Sequence, residues 1–260
     1  MSITHKTIND IGLQFFQWIK KVKGDNVNYE DISKENTKPL DHMPWNKLLL
    51  QHINEDGWID YQGFINNKGE FNEYLGSISN NPPSNNWSED EKMAYWINAY
   101  NAFTIKLILD YYPVQSIKDI GGKFPMINSP WDIKFFKIGG VDFDLNTIEH
   151  DILRREFNDP RIHFAINCAS ISCPVLRREA YQSEILDDQL EDQARKFIND
   201  PLRNQINAEN IRISKIFDWF KSDFTEREDI ISYLNKYSNY QVKENAEIKF
   251  LDYDWSLNEQ

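Results

Sequence analysis

Residues 88–111 read SEDEKMAYWINAYNAFTIKLILDY, and this stretch decides the fold. Ser88 followed by Glu91 is a capping-box signature, in which hydroxyl and carboxylate each satisfy a backbone N–H at a helix start. Met93, Trp96, Ile97, Tyr100, Phe103, Thr104, Leu107, Ile108 and Tyr111 then recur at helical spacing, and Pro113 ends the run. Ala94, Asn98, Asn101, Ala102, Ile105 and Leu109 fill the other side. A helix apolar nearly all round belongs in the middle of a protein.

Working outward, Phe135-Phe136-Lys137-Ile138, Gly139-Gly140 and Val141-Asp142-Phe143-Asp144-Leu145 predict a β-hairpin. Asn146 with Glu149 predicts a capped helix from Thr147 to about Phe157. Asp159-Pro160 turns the chain into Ile162–Asn167, which reads as a buried strand, and Ala169–Pro174 reads as a loop. A polar helix over Asp187–Asn199, a strand at Ile211–Ile213, a helix capped by Thr225 and Glu228 that runs to Tyr237, and a last strand over Ile248–Trp255 follow. Before the central helix, helices are predicted over Trp45–Ile53 and Phe64–Ile78, with a short strand at Trp58–Tyr61. The sum is an α+β fold: a single mixed domain over residues 43–258 with a central buried helix and a mostly antiparallel sheet. Residues 1–42 read as an amphipathic N-terminal helix (Ile8, Ile11, Phe15, Trp18, Ile19, Val22) and a polar linker.

Hydrophobic residues make up 40% of the 260 and aromatics 14%, enough for a real core. The formal charge of −12 argues against broad binding to nucleic acid or to an anionic membrane. The chain has no apolar run of roughly 18 residues, the length a membrane span needs. With no secretory pattern at Met1 onward, a cytoplasmic location is expected. Two cysteines, Cys168 and Cys173, are too few for a disulfide scaffold, although a bridge between them suits an oxidising compartment.

Four motifs carry a resemblance. Tyr95–Lys106 (YWINAYNAFTIK), Asn146–Arg154 (NTIEHDILR), His163–Ser170 (HFAINCAS) continuing to Cys173-Pro174, and Leu251–Asn258 (LDYDWSLN) resemble, in this order, the hallmarks of the domain-of-unknown-function family 547. The resemblance covers roughly residues 43–258. It implies no established activity. In plant relatives the first cysteine position is kept and the second is often Ser, which directs attention to Cys168.

Cys168 is expected where a strand opens into a loop, a place where rigid structure aims a side chain and the loop exposes it. A thiol becomes a nucleophile when an imidazole or backbone N–H groups favour its thiolate. A strict strand puts His163, Ala165 and Asn167 on one face and Cys168 on the other. His150 is therefore the expected base, with His163 or Asn167 supporting and the N–H groups of Ala169 and Ser170 as oxyanion donors. Glu149 is a further candidate, read first as the capping partner of Asn146. Arg154, one turn beyond His150, is expected to bind a carboxylate or pair with Glu149. Asn98, Asn101 and Ser170 either orient a loop or line a pocket.

This reading predicts a thiol-dependent hydrolase or acyltransferase acting on a small molecule or peptide. One competing reading is a non-catalytic binding module. Another is zinc held by His150, His163, Cys168 and Cys173, for which the cysteine spacing is marginal, so no metal is expected. No phosphate-binding glycine loop or dinucleotide fingerprint is present, and no cofactor is expected.

Overall fold

The computed structural model describes residues 37–121 and 129–260. The helix expected near the N-terminus, and most of the linker after it, lie outside these residues.

Helix α1 (Met43–His52), α2 (Tyr61–Asn66) and α3 (Lys68–Asn80) lead to the long α4 (Glu89–Tyr111). Ser88 caps α4 as its sequence requires: its hydroxyl accepts from the Glu91 N–H at 3.2 Å, and the Glu91 carboxylate accepts from the Ser88 N–H at 2.6 Å. Every residue of α4 from Met93 to Ile105 is buried, so the all-round apolar pattern does mark a central helix. Trp96 is fully buried, edge-on to Tyr95 and stacked on Phe143.

The hairpin β1 (Phe136–Ile138) and β2 (Val141–Phe143) packs on this core, with Ile138 opposite Val141. Gly139 and Gly140 both have positive φ, 63° and 92°, the backbone that closes a two-residue hairpin turn. Next comes a π-helix, Thr147–Leu153, which continues into an α-helical turn at Arg154–Glu156. Helices α5 (Ile162–Ala165) and α6 (Leu186–Ile198) follow. A second sheet has β3 (Gln205–Ile206) antiparallel to β4 (Asn210–Ile213), and β4 parallel to β5 (Glu247–Phe250). Between β4 and β5 lie α7 (Ile216–Trp219), α8 (Lys221–Phe224) and α9 (Ile230–Tyr237).

The fold is α+β, with corrections in the sheet, at Ile162–Asn167 and in the last strand. The sheet expected as one is two small ones, and one of its strand pairs is parallel. Ile162–Asn167 is not a strand. The N–H groups of Ile162, His163 and Phe164 bond back to the carbonyls of Asp159, Pro160 and Arg161, which winds the segment into a helical turn. An unbroken apolar run cannot distinguish the two by periodicity. The last strand ends at Phe250, and residues 251–258 continue as an extended tail.

Two cores result. The larger surrounds α4. The smaller gathers Phe164, Phe197, Phe217, Phe224, Tyr233 and Leu234 from α5 to α9. Helix α5 joins them, since Ile162 and Ala165 enter the first core and Phe164 the second.

Candidate functional site

The site is built from four segments: the middle of α4, the π-helix, the loop 167–174 and the tail 253–258. Asn98 and Asn101 in α4 hold neighbouring backbone. Asn98 exchanges two hydrogen bonds with the Tyr181 backbone, at 2.8 and 3.0 Å. Asn101 donates to the Ala165 carbonyl at 3.0 Å and accepts from the Asn167 N–H at 2.9 Å. Both amides are thereby satisfied in the core and do not line an open pocket.

Asn167 passes the constraint on. Its amide donates to the Pro174 carbonyl at 2.7 Å, and its oxygen accepts from the Ala169 N–H at 2.9 Å and from Asn258 at 3.2 Å. This holds Ala169 at φ 62°, a left-handed conformation uncommon for a residue with a Cβ. The tail zips onto the same loop. The Ile171 N–H donates to Ser256 and the Ser172 N–H to Asp254, which brings Tyr253 over the cysteines.

Cys168 and Cys173 form a disulfide. The remaining side-chain neighbours of the Cys168 sulfur are the hydroxyls of Ser170 and Tyr253, both at 3.4 Å. No imidazole is among them. The Ala169 N–H is already committed to Asn167, so it is not free to serve an oxyanion. The structure therefore does not assemble the Cys168–His150 dyad expected from sequence. The reason is the change of local structure: a helical turn, not a strand, carries His163, and Arg154 occupies His150.

The histidines belong to another cluster. Arg154 forks onto Asp223 with two hydrogen bonds of 2.6 and 2.8 Å, and its third nitrogen lies 3.0 Å from His150 Nδ1. A guanidinium has only donors, so this contact requires the lone pair at His150 Nδ1. His163 Nε2 lies 2.8 Å from the same Asp223, and its ring stacks on Phe220 at 4.0 Å. Burial pushes the His163 pKa down against the opposing pull of Asp223, so a neutral ring donating to the carboxylate fits both. Two cationic or hydrogen-bonding partners hold the Asp223 carboxyl well below the usual range, although its partial burial opposes them.

Glu149 is a perturbed acid on the π-helix. It is not the capping partner of Asn146, whose side chain makes no cap. Asp144 caps instead, accepting from the Thr147 N–H at 2.7 Å and its hydroxyl at 2.9 Å. Glu149 turns inward, 8% exposed, and accepts a hydrogen bond from the Tyr100 hydroxyl at 3.1 Å. Burial pushes its pKa up to about 7, while Arg154 and Tyr100 pull it down and Asp223 adds to the rise. Arg154 thus acts on Glu149 through its charge, without the direct pair expected from sequence. π-Turns are rare and frequent at functional sites.

Burial raises the pKa of the Tyr253 hydroxyl, with a smaller rise from the Glu149 charge. Trp131, Trp219, Tyr253 and Trp255 are half-buried and in mutual ring contact, with centroids 4.5–5.7 Å apart. They give the site an apolar wall that reaches solvent. The four residues considered for zinc do not converge, and among the described residues no group of His, Cys, Asp and Glu side chains could hold a metal ion. Nor is any helix among them long and apolar enough to cross a membrane.

Tyr100, Asp223, Tyr253 and Trp131 were missed as site residues. A tyrosine at a core position of α4 is the one usable signal, because a buried hydroxyl needs a partner. Asp223 and Tyr253 reach the site only through the fold.

No curated protein and no solved structure matches the chain. The match that exists runs over residues 84–198, from the start of α4 to the end of α6, and so includes Tyr100, the π-helix and both cysteines but not Asp223 or Tyr253. That match is to the family described as "Protein of unknown function, DUF547", which residues 84–198 resemble.

Proposed function

We propose that the chain is an enzyme of the hydrolase or acyl-transfer class in which Glu149 moves the proton. The observation that carries this reading is the buried Glu149 carboxyl, hydrogen-bonded by Tyr100 on a π-turn and poised near neutrality. A group of that kind can take a proton from water or a hydroxyl and return it to a leaving group. The substrate is a small molecule or peptide that lies against Trp131, Trp219, Tyr253 and Trp255. Arg154 and Asp223 are positioning residues: the ion pair fixes His150 and tunes Glu149 through its field.

The thiol-dependent reading, with Cys168 as nucleophile, is kept second. It is favoured by the partial exposure of Cys168, and it requires that the bridge to Cys173 first be reduced.

The test is turnover of a panel of activated esters, amides and short peptides by the full chain, with and without a dithiol reductant. The primary reading expects activity without reductant, rising through a limb near pH 7, and loss of at least about a hundredfold in Glu149→Gln. Activity that needs reductant and survives Glu149→Gln would favour the thiol. A chain that binds members of the panel but turns none over would be a binding module.

A further inference from the structure

The two sulfurs of the bridge are not equivalent. Cys168 is partly exposed, while Cys173 is 2% exposed. Two donors aim at the buried sulfur: the Cys168 backbone N–H at 2.9 Å and the Tyr253 hydroxyl at 3.2 Å. The Ser170 hydroxyl donates in turn to Tyr253 at 3.4 Å. Arg203 stands beside the same residue, with its guanidinium bonded to the carbonyls of Cys173 and Ile171. A disulfide sulfur is a weak acceptor and a thiolate a strong one, so two donors aimed at one sulfur suit the state in which it is negative.

We infer that Cys168–Cys173 is a thiol–disulfide exchange site, attacked by external thiols at Cys168 and releasing Cys173 as the stabilised thiolate. In the first step a thiolate of a low-molecular-weight thiol or of a partner dithiol attacks Cys168 Sγ. A bond forms between the external sulfur and Cys168, the Cys168–Cys173 bond breaks, and its electron pair leaves on Cys173. A second external thiolate attacks the first external sulfur and releases Cys168 as a thiolate. Two thiols are oxidised to one disulfide, the protein bridge is reduced to two thiols, and the two protons of the external thiols end on the protein or solvent. Exchange is fastest when the leaving thiol has a low pKa and the attacked sulfur is reachable, and the two cysteines divide these roles. Such a bridge functions in a reducing compartment as a reversible couple, where a purely structural one would not persist. Glu149 has no part in these steps, so this inference stands or falls apart from the proposed function.

The test uses the oxidised full-length chain exposed briefly to glutathione in its native state, then quenched with acid and mapped by peptide mass. The expected adduct is on Cys168, and Cys173→Ser, whose Cys168 is a free thiol, accumulates the same adduct there when oxidised glutathione replaces reduced glutathione. Tyr253→Phe, which removes one donor to the leaving sulfur, slows wild-type reduction roughly threefold, the effect of about one unit of leaving-group pKa. Free thiols at both positions after aerobic purification, adducts shared equally between the two cysteines, or reduction only after unfolding in denaturant would each overturn the inference. The wild-type mapping decides the question even if the variants fail to fold.

Discussion

The hydroxyl of Tyr100, in the middle of the buried helix α4, donates to the carboxyl of Glu149 on the π-helix at 3.1 Å. The two residues are 49 positions apart, and the bond joins the buried central helix to the π-helix. Because the Tyr100 bond pulls the Glu149 pKa down, Tyr100→Phe should raise it above its present value of about 7. The loss of one buried hydrogen bond should also cost about 1–2 kcal/mol in denaturant unfolding. An unchanged Glu149 titration in Tyr100→Phe would mean that the bond does not tune the acid.

Glu149 also sets a pH dependence of stability. Its folded pKa is raised from 4.5 to about 7, so the folded state holds the proton more tightly than the unfolded chain does. The resulting stabilisation is complete below the unfolded pKa and is lost as pH rises through the folded one. Across that window the loss should be on the order of 3 kcal/mol, levelling off above it. Glu149→Gln, which mimics the protonated form, should flatten this part of the curve and exceed the wild type in stability at pH 8. Parallel curves for the two proteins between pH 5 and 8 would contradict the account.

Asp223 carries the opposite sign. Asp223 is held below the usual carboxylate range, so its contribution is present above its unfolded pKa and lost on acidification through the folded one. Arg154→Met should destabilise by roughly 2–3 kcal/mol at neutral pH, since both partners are largely buried and a charge is left uncompensated. It should also raise the Glu149 pKa by removing a nearby positive charge. Urea unfolding at pH 7 checks the first effect, and a loss under 0.5 kcal/mol, the size of a surface pair, would count against it.

The central helix gives a plainer test. Trp96→Ala should lower stability by about 3–5 kcal/mol, because a fully buried indole packed against Tyr95 and Phe143 leaves a cavity that a helix on this scale cannot collapse around. Thermal and urea unfolding of the variant measure it, and a loss below 1 kcal/mol would show that α4 is not the core.

Helix α4 and the hairpin were legible in the sequence because their signals are local: a capping box, a 3.6-residue period, and paired glycines between two short apolar runs. The segment Ile162–Asn167 was not, since an apolar run without polar alternation has no readable period, and a turn at Asp159-Pro160 settled its conformation. The segment Glu149–Cys173 holds most of the candidate residues named from sequence, and His150, Arg154 and His163 within it are linked through Arg154 and Asp223. Its internal wiring was unreadable for a different reason. Asn146 and Glu149 look like a cap, but Asp144 takes that role and frees Glu149 to turn inward. Asp223 takes both Arg154 and His163 from a helix far along the chain. Tyr253 reaches the cysteines only because the tail bonds to their loop. Long-range pairings of this kind leave no periodic trace.

The central claim, that Glu149 is the proton-transfer group, is tested most directly by titrating its carboxyl. Carbon-13 NMR of the full chain labelled at glutamate side-chain carboxyls, with Glu149→Gln to assign the resonance, gives the midpoint. The account predicts a midpoint about 7. A midpoint near the ordinary 4.5 would contradict it, because the carboxyl would then be ionised throughout the neutral range and unable to donate a proton there.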